Sequence, residues 1–239
     1  MIIRKNNIWE KIITLFFPKR CVFCDEVIAD DGGICSKCIK KVKLLKKDVC
    51  MKCGQKIPDG KVYCYDCNRR AHEFERNFAV FEYPHVKESL YRFKYRGRAE
   101  YAAFYAKQAW HLHGKRLQEL HADAIVPVPL HSGRMRKRGY NQAQEFGQEL
   151  SKITGIPINN HFVKRIKATR PLKTLDNSGR QNNLKKAFLI SENDVKLKTI
   201  ILVDDIYTTG ATLDEIARVC KDSGVEKIYT LTIAVGNGL

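Results

Sequence analysis

The stretch that decides the fold is IILVDDIYTTGAT, residues 200–212. It begins as a continuous run of β-branched and apolar residues, which is typical of a strand buried on both faces of a parallel sheet. Two adjacent carboxylates, Asp204 and Asp205, follow the run, and a turn with three threonines and one glycine leads into a predicted helix. Ligands of open α/β sheets bind beyond the carboxyl ends of the strands. The sequence therefore predicts a ligand site at this turn.

The residue types in the turn indicate which ligand it binds. Free backbone N–H groups and threonine hydroxyls at the start of a helix suit an anion. Gly210 lets the backbone approach a phosphate closely. The carboxylates of Asp204 and Asp205 are suited to accept hydrogen bonds from two neighbouring hydroxyls. An acidic pair alone is often a helix cap, but a cap does not explain the threonine and glycine turn, so we expect a sugar phosphate here.

Strands and helices alternate on either side of this stretch. Strands are predicted at residues 77–83, 124–128, 185–190, 199–203 and 227–235, and helices at residues 86–95, 100–120, 141–153 and 212–223. Such alternation predicts an α/β fold with a parallel sheet and helices on both faces.

Eight of the nine cysteines form a repeated pattern ahead of this region. They fall in four CxxC pairs, and the second quartet repeats the first after 29 residues: Cys21, Cys24, Cys35, Cys38, then Cys50, Cys53, Cys64, Cys67. Two CxxC turns complete a tetrahedral thiolate shell, so we predict two structural Zn²⁺ sites with four cysteine ligands each. Disulfides are the less favoured interpretation. Sequential ligation is expected, and a crossed arrangement stays open.

The change in composition after the cysteines predicts two domains. Residues 1–72 would form an N-terminal helix and a small double zinc ribbon, and residues 77–239 the α/β domain. The apolar residues between 8 and 17 recur at helical spacing, which suits a membrane-surface helix or a helix docked on the ribbons, and we favour docking. No signal peptide or membrane-spanning apolar run is evident, so we expect a cytoplasmic protein.

The positive charge is concentrated in one segment. The formal net charge is +17, and residues 134–186 contain 13 basic and three acidic residues. With Tyr91, Tyr95 and Tyr140 interspersed among basic residues, this segment suits single-stranded DNA, through phosphate contacts and base stacking. A solvated basic surface is the alternative. The sequence has no GxxxxGK[ST] motif, which excludes a P-loop motor.

Several motifs together resemble one family. VDDIYTTGAT at residues 203–212 resembles the signature of type I phosphoribosyltransferases for 5-phosphoribosyl-1-pyrophosphate. FKYRG at 93–97, VPVPLH at 126–131 and RGYNQA at 138–143 precede it, and the zinc ribbons come first. This order is similar to that of the ComF family, the late-competence proteins of naturally transformable bacteria. The resemblance covers the chain from about Cys21 to Val235.

The resemblance implies a role for each matching position. Asp204 and Asp205 would accept the ribose hydroxyls, and Arg138 would lie near the pyrophosphate. Two loops would hold the donor's phosphates: the 5-phosphate loop with Thr208, Thr209, Gly210, Ala211 and Thr212, and the pyrophosphate loop with Val128, Pro129, Leu130 and His131. Lys94, Arg180 and Asn183 are further family-like positions. Relatives often have Thr-x-Pro-Gln where residues 169–172 are TRPL here, a departure that bears on the acceptor.

The sequence is compatible with three functions. The chain is expected to act in DNA uptake, either as a phosphoribosyltransferase that binds the donor with Mg²⁺, or as a non-catalytic adaptor that binds DNA and phosphoribose for a competence helicase. A small-base phosphoribosyltransferase unrelated to DNA is a third possibility. Through such partners the protein would reach the inner face of the membrane.

Overall fold

A computed structural model describes residues 18–29, 32–166, 187–191 and 197–236. The chain divides into two compact units, residues 1–42 and residues 43–239. The second four-cysteine cluster thus belongs to the same unit as the sheet. The division into domains 1–72 and 77–239 stays a prediction. Residues 8–17, residues 169–172, Arg180 and Asn183 lie outside the described residues.

The 29-residue repeat of the cysteines is also a repeat of local structure. An antiparallel bridge joins Arg20 to Val27 in the first unit, and an equivalent bridge joins Val49 to Lys56 in the second. A short helix follows each bridge, α1 over Ser36–Ile39 and α2 over Tyr65–Arg69. The two copies therefore fold alike, each around its own cysteines.

The larger unit is built on a four-stranded sheet. Its strands are β1 (Arg76–Glu82), β2 (Ala124–Pro127), β5 (Thr199–Tyr207) and β6 (Lys227–Val235). They pair in the order β1-β6-β5-β2, and every pair is parallel. A separate antiparallel pair joins β3 (Val163–Arg165) to β4 (Phe188–Ile190). The parallel α/β fold is confirmed.

The helices of this unit are α3 (Tyr83–Tyr95), α4 (Tyr101–Glu119), α5 (Ser132–Arg138), α6 (Gln142–Thr154) and α7 (Ala211–Asp222). Successive residues of a strand point to opposite faces of the sheet. Ile200 and Leu202 of β5 share a buried cluster with Ile216 of α7. On the other face α6 approaches so closely that a Cβ on Gly147 would lie 3.2 Å from Val203 Cγ2. The sheet is therefore covered by helices on both faces.

The second ribbon packs against the edge strand β1. The N–H of Asn77 donates to the carbonyl of Lys52 at 2.7 Å, and Asn77 Nδ2 donates to the carbonyl of Cys53 at 2.8 Å. The N–H of Leu45 donates to the carbonyl of Val80 at 3.0 Å. Two of these bonds use backbone groups on the free edge of β1, so the ribbon protects an edge that would otherwise be exposed to other strands.

Candidate functional site

The carboxylate pair lies near the carboxyl end of β5. The strand runs through Asp204 and Asp205 to Tyr207, past the end predicted at Val203. Asp205 Oδ2 forms an ion pair with Lys94 Nζ at 2.8 Å, and the N–H of Asp205 donates to Asp204 Oδ1 at 2.8 Å. Lys94 lies in the last turn of α3. The FKYRG segment and the acidic pair, distant in sequence, therefore meet at one site.

The two carboxylates have different electrostatic surroundings. Burial raises the pKa of Asp204 from 3.8 to about 7, and the charge of Asp205 adds to the rise. The N–H of Asp205 and the cations Lys94 and Arg165 act in the opposite direction. The ionised form of Asp204 is thus costly in the free protein, and a cation or a hydroxyl donor that binds beside it would relieve that cost.

The turn after β5 lines the cavity and carries hydrogen-bond donors. Gly210 has φ of 77° and precedes α7 directly. A Cβ at this position would lie 2.7 Å from the Tyr207 hydroxyl oxygen, so only glycine fits without displacement. The first backbone N–H bonded within α7 is that of Asp214, which donates to the Gly210 carbonyl. The N–H groups of residues 211–213 precede it, have no hydrogen-bond partner among the described residues, and are available to an anion.

Thr209 adds a second observation at the same turn. Its hydroxyl oxygen is buried and has no hydrogen-bond partner among the described residues. Buried hydroxyls without partners are rare because losing water without a new hydrogen bond costs free energy. Thr209 lines the same cavity as the carboxylate pair, so a ligand bound there would be able to supply the missing partner.

Basic side chains form a basic wall of the site beside the carboxylates. The cavity has a volume of about 440 Å³. Its charged lining consists of Lys94, Arg134, Lys137, Arg138 and Arg165, together with Asp204 and Asp205. The Arg138 guanidinium donates to Gln142 Oε1 at 2.7 Å and to the Tyr95 hydroxyl at 3.1 Å, and it lies 4.9 Å from the centre of the Tyr95 ring. Arg138 is therefore held in place at the cavity wall.

Arg165 was not among the predicted site residues. Burial lowers its pKa to about 10, and the neighbouring charge of Arg134 contributes. These two arginines and the two carboxylates line the same cavity. A lining with both acidic and basic groups suits a ligand that carries both hydroxyls and phosphates.

The VPVPLH segment contributes only part of its length to the cavity. Val128 and Leu130 line it, whereas Pro129 and His131 do not appear in its lining. His131 instead caps α5, with Nδ1 accepting from the N–H of Gly133 at 3.2 Å. The loop is fixed by the RGYNQA segment, because Asn141 Nδ2 donates to the Val128 carbonyl at 3.0 Å.

The structure brings each cysteine quartet together in sequential pairing. The groups are Cys21, Cys24, Cys35 and Cys38, and Cys50, Cys53, Cys64 and Cys67, with the four sulfurs of each group within 4.8 Å of one another. Hydrogen bonds from the thiols of Cys53 and Cys67 lower the pKa of Cys50. Four thiolates at this spacing require a cation, and the donor set fits tetrahedral zinc. The crossed arrangement is not the one observed.

Two further residues near the site were missed from the sequence. His72 and Asp214 form a hydrogen-bonded pair, with His72 Nδ1 at 2.9 Å from Asp214 Oδ2. The sequence predicted no role for His72, because its polar partners are 135 and 142 positions away or in the ribbon. An aspartate in the first turn of a helix is commonplace, so Asp214 gave no signal either.

Comparison with known proteins agrees with this architecture. Residues 12–68 match the family model described as a double zinc ribbon domain, and residues 152–238 match the phosphoribosyl transferase domain. The chain is thus a double zinc-ribbon protein with a phosphoribosyltransferase domain.

Similarity to individual proteins shows to which family the chain belongs. The chain is 33% identical over 230 residues to Competence protein F of Haemophilus influenzae, covering 92% of this chain and 98% of that protein. It is 30% identical over 219 residues to the DNA utilization protein YhgH of Escherichia coli K12, covering 90% and 96%. It is 29% identical over 226 residues to Competence protein ComFC of Bacillus subtilis, covering 85% and 89%. The chain belongs to the ComF family.

None of the helices among the described residues has both the length and the apolar character needed to cross a membrane.

Proposed function

We propose that the cavity at the carboxyl end of β5 binds 5-phosphoribosyl-1-pyrophosphate with Mg²⁺, and that the chain acts as a phosphoribosyltransferase in the handling of incoming DNA. The buried hydroxyl of Thr209 carries the proposal, since it has no partner among the described residues. It lies within a turn whose backbone donors suit the 5-phosphate. The adjacent carboxylates suit the two ribose hydroxyls.

The charge distribution of the cavity supports an ordered binding mode. With the 5-phosphate at residues 208–212 and the ribose on Asp204 and Asp205, the pyrophosphate would extend toward the basic wall. Arg138 is the best placed cation there, because Tyr95 and Gln142 already hold its guanidinium. Its side chain is thus ordered before the ligand binds, which reduces the entropic cost of each new hydrogen bond.

The chemistry that follows is substitution at the anomeric carbon of the ribose. The bond from that carbon to the pyrophosphate oxygen breaks, the acceptor donates an electron pair to the same carbon, and pyrophosphate leaves. The protein's residues contribute position and charge: the carboxylates orient the ribose, and Arg138 stabilises the departing negative charge. Asp204 and Asp205 are the residues that would face Mg²⁺, which neutralises pyrophosphate charge when bound.

A basic and aromatic surface beside the cavity supports DNA as a partner. Tyr91 and Tyr95 are each about half exposed, and their ring centres lie 5.2 Å apart. Tyr95 also contacts Arg138, so the aromatic pair adjoins the basic wall. Stacking on such rings and phosphate contacts to nearby cations are the usual means of binding single strands. The relatives named for competence and DNA utilization fit this proposal.

A binding module is the second candidate, and the Lys94 ion pair favours it. Asp205 is already paired with Lys94 at 2.8 Å, so a donor has to compete with that lysine for the carboxylate. A site of this kind can sense the sugar diphosphate without turning it over. The protein would then bring DNA and a competence helicase together. A small-base phosphoribosyltransferase would use the same donor site but transfer the phosphoribosyl group to a free base instead of DNA.

One set of measurements separates these functions. Donor binding to the zinc-loaded chain is titrated with and without Mg²⁺ for the wild type, Thr209→Val and the matched control Thr209→Ser. We expect Thr209→Val to weaken binding about tenfold, the equivalent of one charge-assisted hydrogen bond, and Thr209→Ser to retain it. Equal affinity of all three proteins would contradict the assignment of the turn.

Pyrophosphate release is then measured with single-stranded DNA and with free bases as acceptors. Release that depends on DNA supports the proposed enzyme, and release with a free base alone identifies the small-base activity. Tight donor binding without release under any of these conditions supports the binding module.

A further inference from the structure

The segment that leaves the second ribbon converges on one carboxylate beside the phosphate turn. Arg70 Nη2 and His72 Nδ1 lie 3.0 Å and 2.9 Å from Asp214 Oδ2. The backbone N–H of Glu73 donates to Asp214 Oδ1 at 3.0 Å. Three donors within four consecutive residues thus bind a single side chain, which is far more than a helix start needs.

His72 also contacts the metal cluster. Its side chain is only 2% exposed. His72 Nε2 lies 3.6 Å from Cys67 Sγ and 3.4 Å from the Tyr207 hydroxyl oxygen. The ring stacks on Phe74 with 4.8 Å between centres. The imidazole is therefore fixed on three sides, with one nitrogen facing a ligand of the second cluster and the other facing Asp214.

Asp214 in turn belongs to the phosphate turn. It lies in the first turn of α7, and its N–H donates to the Gly210 carbonyl at 2.8 Å. His72 itself comes so close to the turn that a Cβ on Gly210 would lie 3.1 Å from His72 Cε1. A short chain of contacts thus runs from Cys67 through His72 and Asp214 to Gly210.

We propose that His72 and Asp214 are positioning residues that couple zinc binding at the second cluster to ligand binding at the phosphate turn. The inference rests on the proposed function, because it assumes that the turn binds the donor's 5-phosphate. Bound zinc fixes Cys67, and Cys67 in turn holds the His72 imidazole against Asp214. With Asp214 held, Gly210 and the first N–H groups of α7 stay in the arrangement that binds the phosphate. Losing the metal frees Cys67 and removes one of the supports of the turn.

Coupling of this kind is reciprocal. If zinc raises the affinity for the donor by some factor, the donor raises the affinity for zinc by the same factor. Donor bound at the turn should therefore raise the zinc affinity of the second cluster. Because differences in affinity between related complexes lie mostly in the dissociation rate, zinc should also leave this cluster more slowly. A role that is only structural would stabilise the fold without making zinc release depend on the donor.

The test measures zinc transfer from the full chain to a chromophoric chelator, with and without 5-phosphoribosyl-1-pyrophosphate. Ribose 5-phosphate, which lacks the pyrophosphate, serves as the smaller probe. We expect either ligand to slow the release of one of the two zinc equivalents about tenfold and to leave the other unchanged. Slowing by ribose 5-phosphate excludes metal chelation by the pyrophosphate as the cause.

His72→Phe keeps the stack on Phe74 and removes both ring nitrogens. We expect this variant to bind two zinc ions, to bind the donor about tenfold more weakly, and to release zinc at a rate that saturating donor no longer changes. Arg218→Gln is the matched control, since Arg218 lies on the exposed face of the same helix and forms ion pairs with Glu215 and Asp222 of that helix. It should behave like the wild type.

The outcomes separate this inference from the proposed function. If the wild type binds neither ligand, the proposed function fails and the coupling fails with it. If the wild type binds donor but its zinc release is unaffected, the proposed function stands and the coupling is refuted. That second measurement needs no variant, so it decides the matter even if His72→Phe does not fold.

Discussion

Replacing Asp204 with asparagine should change how stability depends on pH. In the folded protein burial and the charge of Asp205 raise the pKa of Asp204 from 3.8 to about 7. Between these two values the folded state holds a proton that the unfolded state has released. Stability therefore falls as pH rises through this window, and asparagine, which has no charge to bury, removes that loss.

The size of the effect follows from the proton difference. One proton corresponds to about 1.4 kcal/mol per pH unit, so between pH 5 and pH 7 the wild type should lose about 2 kcal/mol through Asp204 alone. The variant should gain that amount relative to the wild type over the same interval. Lys94 beside the pair limits the loss, because its charge favours the ionised carboxylate.

Urea unfolding at pH 5, 6 and 7 with excess zinc provides the measurement. Protonation of the cysteines weakens zinc binding at low pH in both proteins, so the quantity of interest is the difference between variant and wild type. We expect this difference to grow in favour of Asp204→Asn as pH rises. A difference that is constant, or that shrinks with pH, would refute the assignment of a raised pKa to Asp204.

The remaining predictions concern the ligands and the turn. Asp205→Asn should reduce donor affinity at least tenfold in a calorimetric titration, because it removes the ribose acceptor, and unchanged affinity would count against that role. Gly210→Ala should lower the unfolding free energy by more than Gly97→Ala: both glycines have positive φ, but only at Gly210 would a Cβ meet other atoms, at 2.7 Å. The excess should be about 1–3 kcal/mol in thermal or urea unfolding, and equal losses would show that the turn has room. Lys137→Gln should weaken single-stranded DNA binding and reduce the slope of log affinity against log salt by about 0.7, and an unchanged slope would exclude a phosphate contact.

Strand β5 was predictable because residues 200–203 form a continuous run of apolar and β-branched side chains. Its end was not, since β5 continues past Val203 through the acidic pair to Tyr207. The cause is pairing with β6, whose buried residues accompany it as far as Val235. Two adjacent aspartates suggest a strand end locally, but the neighbouring strand decides where the ladder stops.

Helix α5 was missing from the prediction for a related reason. Its sequence SGRMRKR has a single large apolar residue, Met135, so no hydrophobic periodicity marks it. It is defined instead by its ends, with His131 as the N-cap and Gly139 in the left-handed conformation. Basic residues at positions 134, 137 and 138 then reach the cavity. The sequence showed a charged segment without showing that it turns toward the site.

The candidate site was predictable where it is continuous in sequence. The turn after β5 and the four CxxC pairs each occupy a short stretch with a fixed spacing. The contacts between stretches were not predictable, because Lys94 and Asp205, or His72 and Asp214, meet only through the folded chain. No local pattern encodes a pair of residues more than a hundred positions apart.

The most direct test of the central claim is a crystal structure of the zinc-loaded chain with 5-phosphoribosyl-1-pyrophosphate and Mg²⁺. The account predicts the 5-phosphate in the turn of residues 208–212 with the Thr209 hydroxyl in contact, and the ribose hydroxyls on Asp204 and Asp205. Donor bound elsewhere, or a turn filled by neighbouring side chains with the carboxylates still paired only to Lys94, would contradict it.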